Sequence, residues 1–209
     1  VHTFDKCFFM PSDLTAGLEY NRDRLKDNMW GYNRHTDQTV NIYSAFLQNE
    51  WKNDRWGILI GGRLDKHNMV DNVIFSPRAN LRFNPTQNIN LRLSYSSGFR
   101  APQAFDEDMH IENVGGTVAM IERAKDLKEE KSQSFSVSAD MYHRFGAFQT
   151  NLLIEGFYTR LTDVFVLGKP YDRGDGILVK TRSNGPGAKV MGLTLEGKVA
   201  YLCLLYTSP

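Results

Sequence analysis

The sequence has no run approaching the ~18 consecutive apolar residues that a membrane helix needs. Cysteine is scarce: only Cys7 and Cys203 occur, near opposite ends, enough for one bridge but not suggestive of a disulfide scaffold. Charge of one sign is not in excess either. Lys and Arg total 25 against 24 Asp and Glu, a formal net charge of +1, which removes binding driven by a global field to nucleic acid or to an anionic surface. Motifs of catalysis are missing: there is no Walker loop, nucleophile elbow or zinc spacing, and His2, His35, His67, His110 and His143 are scattered. An enzyme is therefore not expected. The opening residues Val1 to Lys6 hold neither an initiator Met nor an apolar leader, so an exported protein of this type is expected to carry a preceding segment. The mildly negative mean hydropathy of -0.42 normally marks a protein in water. It leaves one membrane class standing, the β-barrel, whose strands alternate apolar and polar residues and average out.

What the chain does contain is alternation with a period of two, the spacing of a strand with unlike faces. Phe75, Pro77, Ala79, Leu81 and Phe83 oppose Ser76, Arg78, Asn80, Arg82 and Asn84. Ile89, Leu91, Leu93, Tyr95 and Phe99 oppose Asn90, Arg92, Ser94, Ser96 and Arg100. Weaker runs of the same kind centre on Leu47, Ile60, Val137, Ile154 and Leu195, and a shorter strand spans Ile177 to Ser183. Only Thr117 to Lys131 offers room for a short helix.

The connections sort by length. Asn53-Asp54, Asn84 to Gln87, Phe145-Gly146 and Asn184 to Gly187 carry hairpin residues. Longer polar segments lie between them at Asn21 to Gln38, His67 to Val73, Ala101 to Lys131 and Asp163 to Gly176. A membrane barrel alternates short periplasmic turns with long extracellular loops, whereas a soluble sandwich has no reason to do so. Runs of about 10 to 14 residues also meet the ~9–11 of a tilted spanning strand. Tyr43, Trp51, Trp56, Tyr95, Phe99, Phe148 and Tyr158 lie near stripe ends, where an interfacial girdle belongs. The expected fold is all-β, an antiparallel up-and-down transmembrane β-barrel, here partial, with about eight or nine strands of a larger barrel. The alternative is a soluble β-rich ligand- or glycan-binding module whose charged face is simply the watered one.

Ser96-Ser97-Gly98-Phe99-Arg100-Ala101-Pro102 resembles the strand end that opens a long extracellular loop in TonB-dependent outer-membrane receptors. Phe75 to Arg82, Asp126 to Ser132, Gly156 to Asp163 and Asn184 to Gly197 are similar to later and flanking barrel segments of that family, in the same order. Glu129 departs from the pattern, which has proline there. The resemblance implies a Gram-negative outer-membrane receptor. It would bind a scarce nutrient outside (a siderophore, cobalamin, metal complex or glycan) and import it with energy supplied through TonB. It also implies three partners: outer-membrane lipid, the receptor's own plug domain, and the TonB complex. Neither a plug nor a TonB-binding segment matches any part of these residues. A passive porin-like channel is the other membrane reading. Residues 1–201 are assigned to the partial barrel, and 202–209, which break the alternation, to a non-native tail.

Candidate site residues follow from the polar faces and the loops. Arg100, which ends a lumen-facing stripe before Pro102, reads as an anchor for the loop base; Arg78, Arg82 and Arg92 read as lumen wall that would meet a plug. Asp106, Glu107, Asp108 and His110, beside Met109, have the chemistry to contact a ligand or a divalent cation, although neighbouring loop carboxylates are by default solvated. Asp163, Asp172 and Asp175 carry the same two readings. No resident cofactor is expected beyond such a loop-bound cation.

Overall fold

The computed structural model describes residues 1–32, 34–103, 112–114, 117–174 and 176–201. Strands β1 (His2–Cys7), β2 (Met10–Met29), β3 (Arg34–Lys52), β4 (Trp56–His67), β5 (Ile74–Thr86) and β6 (Ile89–Arg100) follow one another as antiparallel neighbours. The chain then leaves the wall through β7 (Glu112–Val114) and β8 (Thr117–Arg123). It returns as β9 (Glu130–Phe145) beside β6 and continues as β10 (Phe148–Thr162). A second excursion carries β11 (Phe165–Leu167), β12 (Tyr171–Asp172) and β13 (Leu178–Asn184) before β14 (Ala188–Tyr201) pairs with β10. The result is a wall of nine strands with β1 and β14 as its edges, an open arc of barrel.

Register decides the two faces, because residues directly opposite in a sheet share a side. One row runs Leu81–Leu93–Val137–Gly156–Leu193 and the next Ala79–Tyr95–Phe135–Tyr158–Met191. Every apolar stripe anticipated in the sequence joins this one surface. On the other face the corresponding row is Arg82–Arg92–Ser138–Glu155–Thr194.

The apolar surface is bare. Leu18 is 87% exposed, Leu93 51% and Leu193 78%, and the buried apolar residues (Val40, Val70, Ile74, Ala101, Ala119, Met120, Ile121 and Val179) include none from these stripes. No second sheet packs against it among the described residues, which argues against a sandwich. An apolar face continuous across eight strands far exceeds what a monomer exposes to water, and lipid is the solvent that suits it. Stacked aromatics bound it at both ends: Tyr20 on Tyr43 at one, Trp56 on Phe83 and Phe9 on Trp51 at the other. Along β10, ten residues separate Phe148 from Tyr158. That is roughly 33 Å of strand, or about 25 Å of height at a tilt of ~40°, the thickness of an outer-membrane apolar band.

The wall's short turns fall at the Trp56 end and its long excursions at the Tyr43 end. Asn184 to Gly187, expected as a fourth short turn, lies instead at the long-loop end, where it leads from β13 into β14, because β13 stands outside the wall. Gly146 takes φ 56° in the β9–β10 turn, a conformation cheap only for glycine. Asn53 caps the β3–β4 turn by accepting the Arg55 and Trp56 amides at 2.9 and 2.7 Å.

Several local expectations are corrected. Asn21 to Gln38 is a ribbon: β2 and β3 stay paired to Met29 and Arg34, and only Trp30–Tyr32 turns, as a 3-10 helix. Polar cross-strand pairs hold it, Arg24 with Asp37 at 2.9 Å and Asn28 with His35 at 3.1 Å, and such pairs leave no hydrophobic period to read. Thr117 to Lys131 holds no helix: Thr117–Arg123 forms strand β8, because β13 supplies a parallel edge for it, and Glu130 already begins β9. The segment read as Ile177 to Ser183 is that β13, outside the wall, so β10 meets β14 directly. Phe99, expected in the girdle, packs against Val70, Ile74 and Ala101. Strand β1 carries no alternation that announces it.

Candidate transport site

The inward face of the wall gathers Arg63, Asp65, Arg78, Arg82, Arg92, Arg100, Asp140, Arg144, Glu155, Glu196 and Lys198 on one side. Mixed signs allow internal pairing. Asp65, 2% exposed, accepts from Ser44 Oγ at 2.6 Å and from Arg63 Nε at 2.8 Å. The same guanidinium reaches Glu19 at 2.8 Å, so one arginine ties β2, β3 and β4 together. Lower on the wall, Asp140 accepts from Tyr142 Oη and from Asn151 Nδ2, and Lys198 pairs with Glu196 at 2.8 Å.

Arg82 and Arg92 have neutral acceptors instead. Arg82 donates to the Asn53 carbonyl at 3.3 Å and Arg92 to Asn90 Oδ1 at 2.8 Å. They line a cavity of about 380 Å³ shared with Ser94, Ser136, Ser138 and Glu155. Arg78 lines a neighbouring recess with Ser76 and Ser96. Small hydroxyl residues on β6 and β9 keep this part of the wall thin, and Ser94 and Ser136 bond across it at 2.5 Å. Apolar exceptions occur too: Phe46 and Phe157 point inward and lay their rings over Gly17 and Gly192, where an added Cβ would collide with them.

At the long-loop end, the two largest excursions fuse. β8 and β13 pair in parallel, joined by β7, β11 and β12 into a second sheet. Ala119, Met120 and Val179, at 1%, 2% and 0% exposure, form its interior. Asn184 is the clamp: its Oδ1 accepts the Lys128 amide at 2.8 Å, while its Nδ2 donates to the carbonyls of Lys128 and Asp163 at 3.0 and 2.7 Å. Glu130 accepts the Phe165 amide at 2.9 Å. Arg100 sits over the Phe165 ring, 5.7 Å from its centroid, where β6 opens into the first excursion.

Below this sheet His67 ends β4 with 0% exposure. Its Nδ1 accepts the Met69 amide at 3.0 Å. Burial holds its imidazole below the ordinary histidine range, and a contact with Gln103 offsets part of that effect. On the ribbon above, Arg24 holds the Asp37 carboxyl below the usual carboxylate range.

The sequence-derived candidates separate accordingly. Arg78, Arg82 and Arg92 share the inward face, and Arg100 lies higher, at the mouth. Asp106, Glu107, Asp108 and His110 lie outside the described residues, as do Asp175 and residues 202–209. Asp163 takes φ 54° in a turn, and Asp172 accepts the Gly174 amide at 2.7 Å, so both serve local turns. Among the described residues no three His, Cys, Asp or Glu side chains cluster in a way that would hold a metal ion. Sequence reading passed over Asn184, Glu130 and His67. Asn184 stands in an evident turn motif, yet nothing local shows that its side chain reaches Lys128.

Comparison with known proteins agrees with this geometry. The family model described as TonB dependent receptor-like, beta-barrel matches residues 2–207. The siderophore receptor PirA from Pseudomonas aeruginosa superposes with a TM-score of 0.76 at 18% identity, over 93% of this chain and 37% of that one. PirA from Acinetobacter baumannii gives 0.69 at 18%, over 95% and 33%, and the FrpB iron transporter from Neisseria meningitidis 0.61 at 15%, over 96% and 32%. The chain thus spans about a third of these structures. No curated protein matches it. With the family model covering nearly its whole length, the chain belongs to the TonB-dependent receptor β-barrel family.

Proposed function

We propose that this chain forms part of the wall of an outer-membrane receptor that binds a bulky, scarce nutrient outside and imports it with energy delivered by TonB. An iron–siderophore complex is the favoured cargo; cobalamin, another metal complex or a glycan are the remaining classes. The observation that carries the reading is the division of faces, with bare apolar side chains outward and charged ones inward over one register. A fused loop sheet at one end adds a shaped mouth. The choice of cargo leans on the matched structures, described as siderophore receptors and an iron transporter. In this reading Arg82 and Arg92 face a plug domain, Arg100 anchors the loop base, and Asp106 to His110 meet the ligand or a loop-bound cation.

The test is uptake of radiolabelled ferric siderophores by cells producing the complete protein, with and without TonB and with and without an uncoupler. Uptake that requires both is expected. Flux indifferent to TonB and to the uncoupler would make the protein a passive porin-like channel, and recovery in the soluble periplasm would end both membrane readings.

A further inference from the structure

At the short-turn end, three successive carbonyls of the β3–β4 turn gather the end of β5. The Asn53 carbonyl accepts from Arg82 Nη2 at 3.3 Å, the Asp54 carbonyl from Asn84 Nδ2 at 3.1 Å, and the Arg55 carbonyl from the Asn84 amide at 2.7 Å. The turn that offers them is tied on its other side, where Asn53 Nδ2 donates to Met10 Sδ at 2.8 Å.

From Asn84 the chain of bonds crosses the β5–β6 hairpin. Asn84 Oδ1 accepts from Asn90 Nδ2 at 2.8 Å, and Asn90 Oδ1 accepts from Arg92 Nε at 2.8 Å. Its two ends fix its direction, because a carbonyl can only accept and an arginine can only donate. Each amide therefore turns its oxygen toward the guanidinium, and the bonds polarise one another. Gly57 plays the same part for Arg82. It stands directly opposite Arg82 on β4, and a Cβ added there would meet Arg82 Nε at 3.2 Å and Nη2 at 3.5 Å. The arginine thus lies across the glycine to reach the turn.

These contacts orient the two cations without neutralising them. Arg82 Nε is buried with no hydrogen-bond partner. Asp140, opposite Asn90, is engaged by Tyr142 and Asn151. Glu155 lines the same cavity from beyond Ser138 and forms no ion pair among the described residues. A like-charged pair held in fixed directions weakens its sheet. Such an arrangement is useful only toward an acceptor that enters the cavity, and two adjacent guanidiniums suit a single carboxylate.

We propose that Asn84 and Asn90 are positioning residues. Together with Gly57 and the β3–β4 turn, they set Arg82 and Arg92 as a preformed fork for one carboxylate entering the lumen. On the receptor reading, on which this rests, that carboxylate belongs to the plug. The hold on the plug is then set from the short-turn rim, through asparagine side chains that reach it only by way of Arg92.

The test uses the complete protein in lipid discs, with the initial rate of protease cleavage in the plug as the measure of its release. N90A should raise that rate roughly tenfold, the factor for one hydrogen bond to a charged group. N84A should act in the same direction. R92M should raise the rate at least as far, and N90A added to R92M should change nothing more, because the asparagine acts only through the arginine. N80D places a resident carboxylate in the cavity, beside Arg82 and diagonal to Arg92. It should speed cleavage while leaving the urea midpoint of the barrel unchanged or raised, whereas lost packing would lower the midpoint. Heat-modifiable migration on gels checks that each variant is folded. A wild-type cleavage rate in N90A, or a full N90A effect in the R92M background, overturns the positioning role. An unchanged rate in N80D overturns the carboxylate. Failure of the receptor reading is seen separately, as uptake indifferent to TonB, while this proposal can fail in a protein that imports normally.

Discussion

Arg82 and Arg92 stand directly opposite each other on the inward face of β5 and β6, and each donates a hydrogen bond to a neutral acceptor, the Asn53 carbonyl and the Asn90 side chain. Like charges in opposed positions of a sheet repel, so this pair weakens the wall that holds it. On the transport reading a carboxylate of a lumen-filling plug relieves the repulsion. R92Q should then leave the urea midpoint of the barrel unchanged or raise its stability by about 0.2–1 kcal/mol. The same variant should make the plug more sensitive to protease. A plug equally protected in R92Q and wild type would remove this role from the pair.

Leu93 and Ser94 are adjacent in sequence and face opposite solvents. Arginine at Leu93 enters lipid near mid-band and should cost about 2–4 kcal/mol of barrel stability, whereas arginine at Ser94 enters the wet interior and should cost roughly 1 kcal/mol or less. Reversible unfolding from lipid vesicles measures both. Equal penalties would mean that the two faces share one environment.

Asn184 carries three hydrogen bonds between the two long excursions. N184A should loosen the loop sheet by about 1–3 kcal/mol, the cost of leaving such groups unpaired. Hydrogen exchange at residues 178–182 should speed up while β9 and β10 keep their protection. Unchanged exchange at 178–182 would show that the β8–β13 pairing holds without the clamp.

His67 predicts a pH dependence at the mouth. Its folded pKa is lowered by burial, so the unfolded state binds the proton more readily. Its contribution is complete above the unfolded value of about 6.5 and declines as the pH falls from there through the lowered folded value. Hydrogen exchange at residues 68–73 and 99–103 should accelerate on acidification across that window, and H67Q should abolish the dependence. A mouth equally protected at neutral and acidic pH would contradict the assignment.

Replacing Arg100 by methionine keeps an apolar stem of similar reach to Cδ and removes the guanidinium over the Phe165 ring. A loss of about 1 kcal/mol in loop stability is expected, read as faster exchange at residues 165–167. If exchange at 165–167 stays at the wild-type rate, Arg100 does not anchor the loop base.

The wall was legible in the residues themselves because strand geometry is local. Side chains alternate with a period of two, and a stripe from Phe75 to Phe83 declares its face whatever its neighbours are. Turn chemistry at Asn53 and Gly146 and the sorting of connection lengths then set direction, so fold class and the apolar and polar faces could be reached from sequence. Contacts between distant segments depended on the folded chain. That β8 finds β13 some sixty residues away and that Asn184 bonds Lys128 are consequences of register. Register is the sum of many weak cross-strand pairings, no one of which leaves a mark on neighbouring residues, so only the assembled sheet decides it.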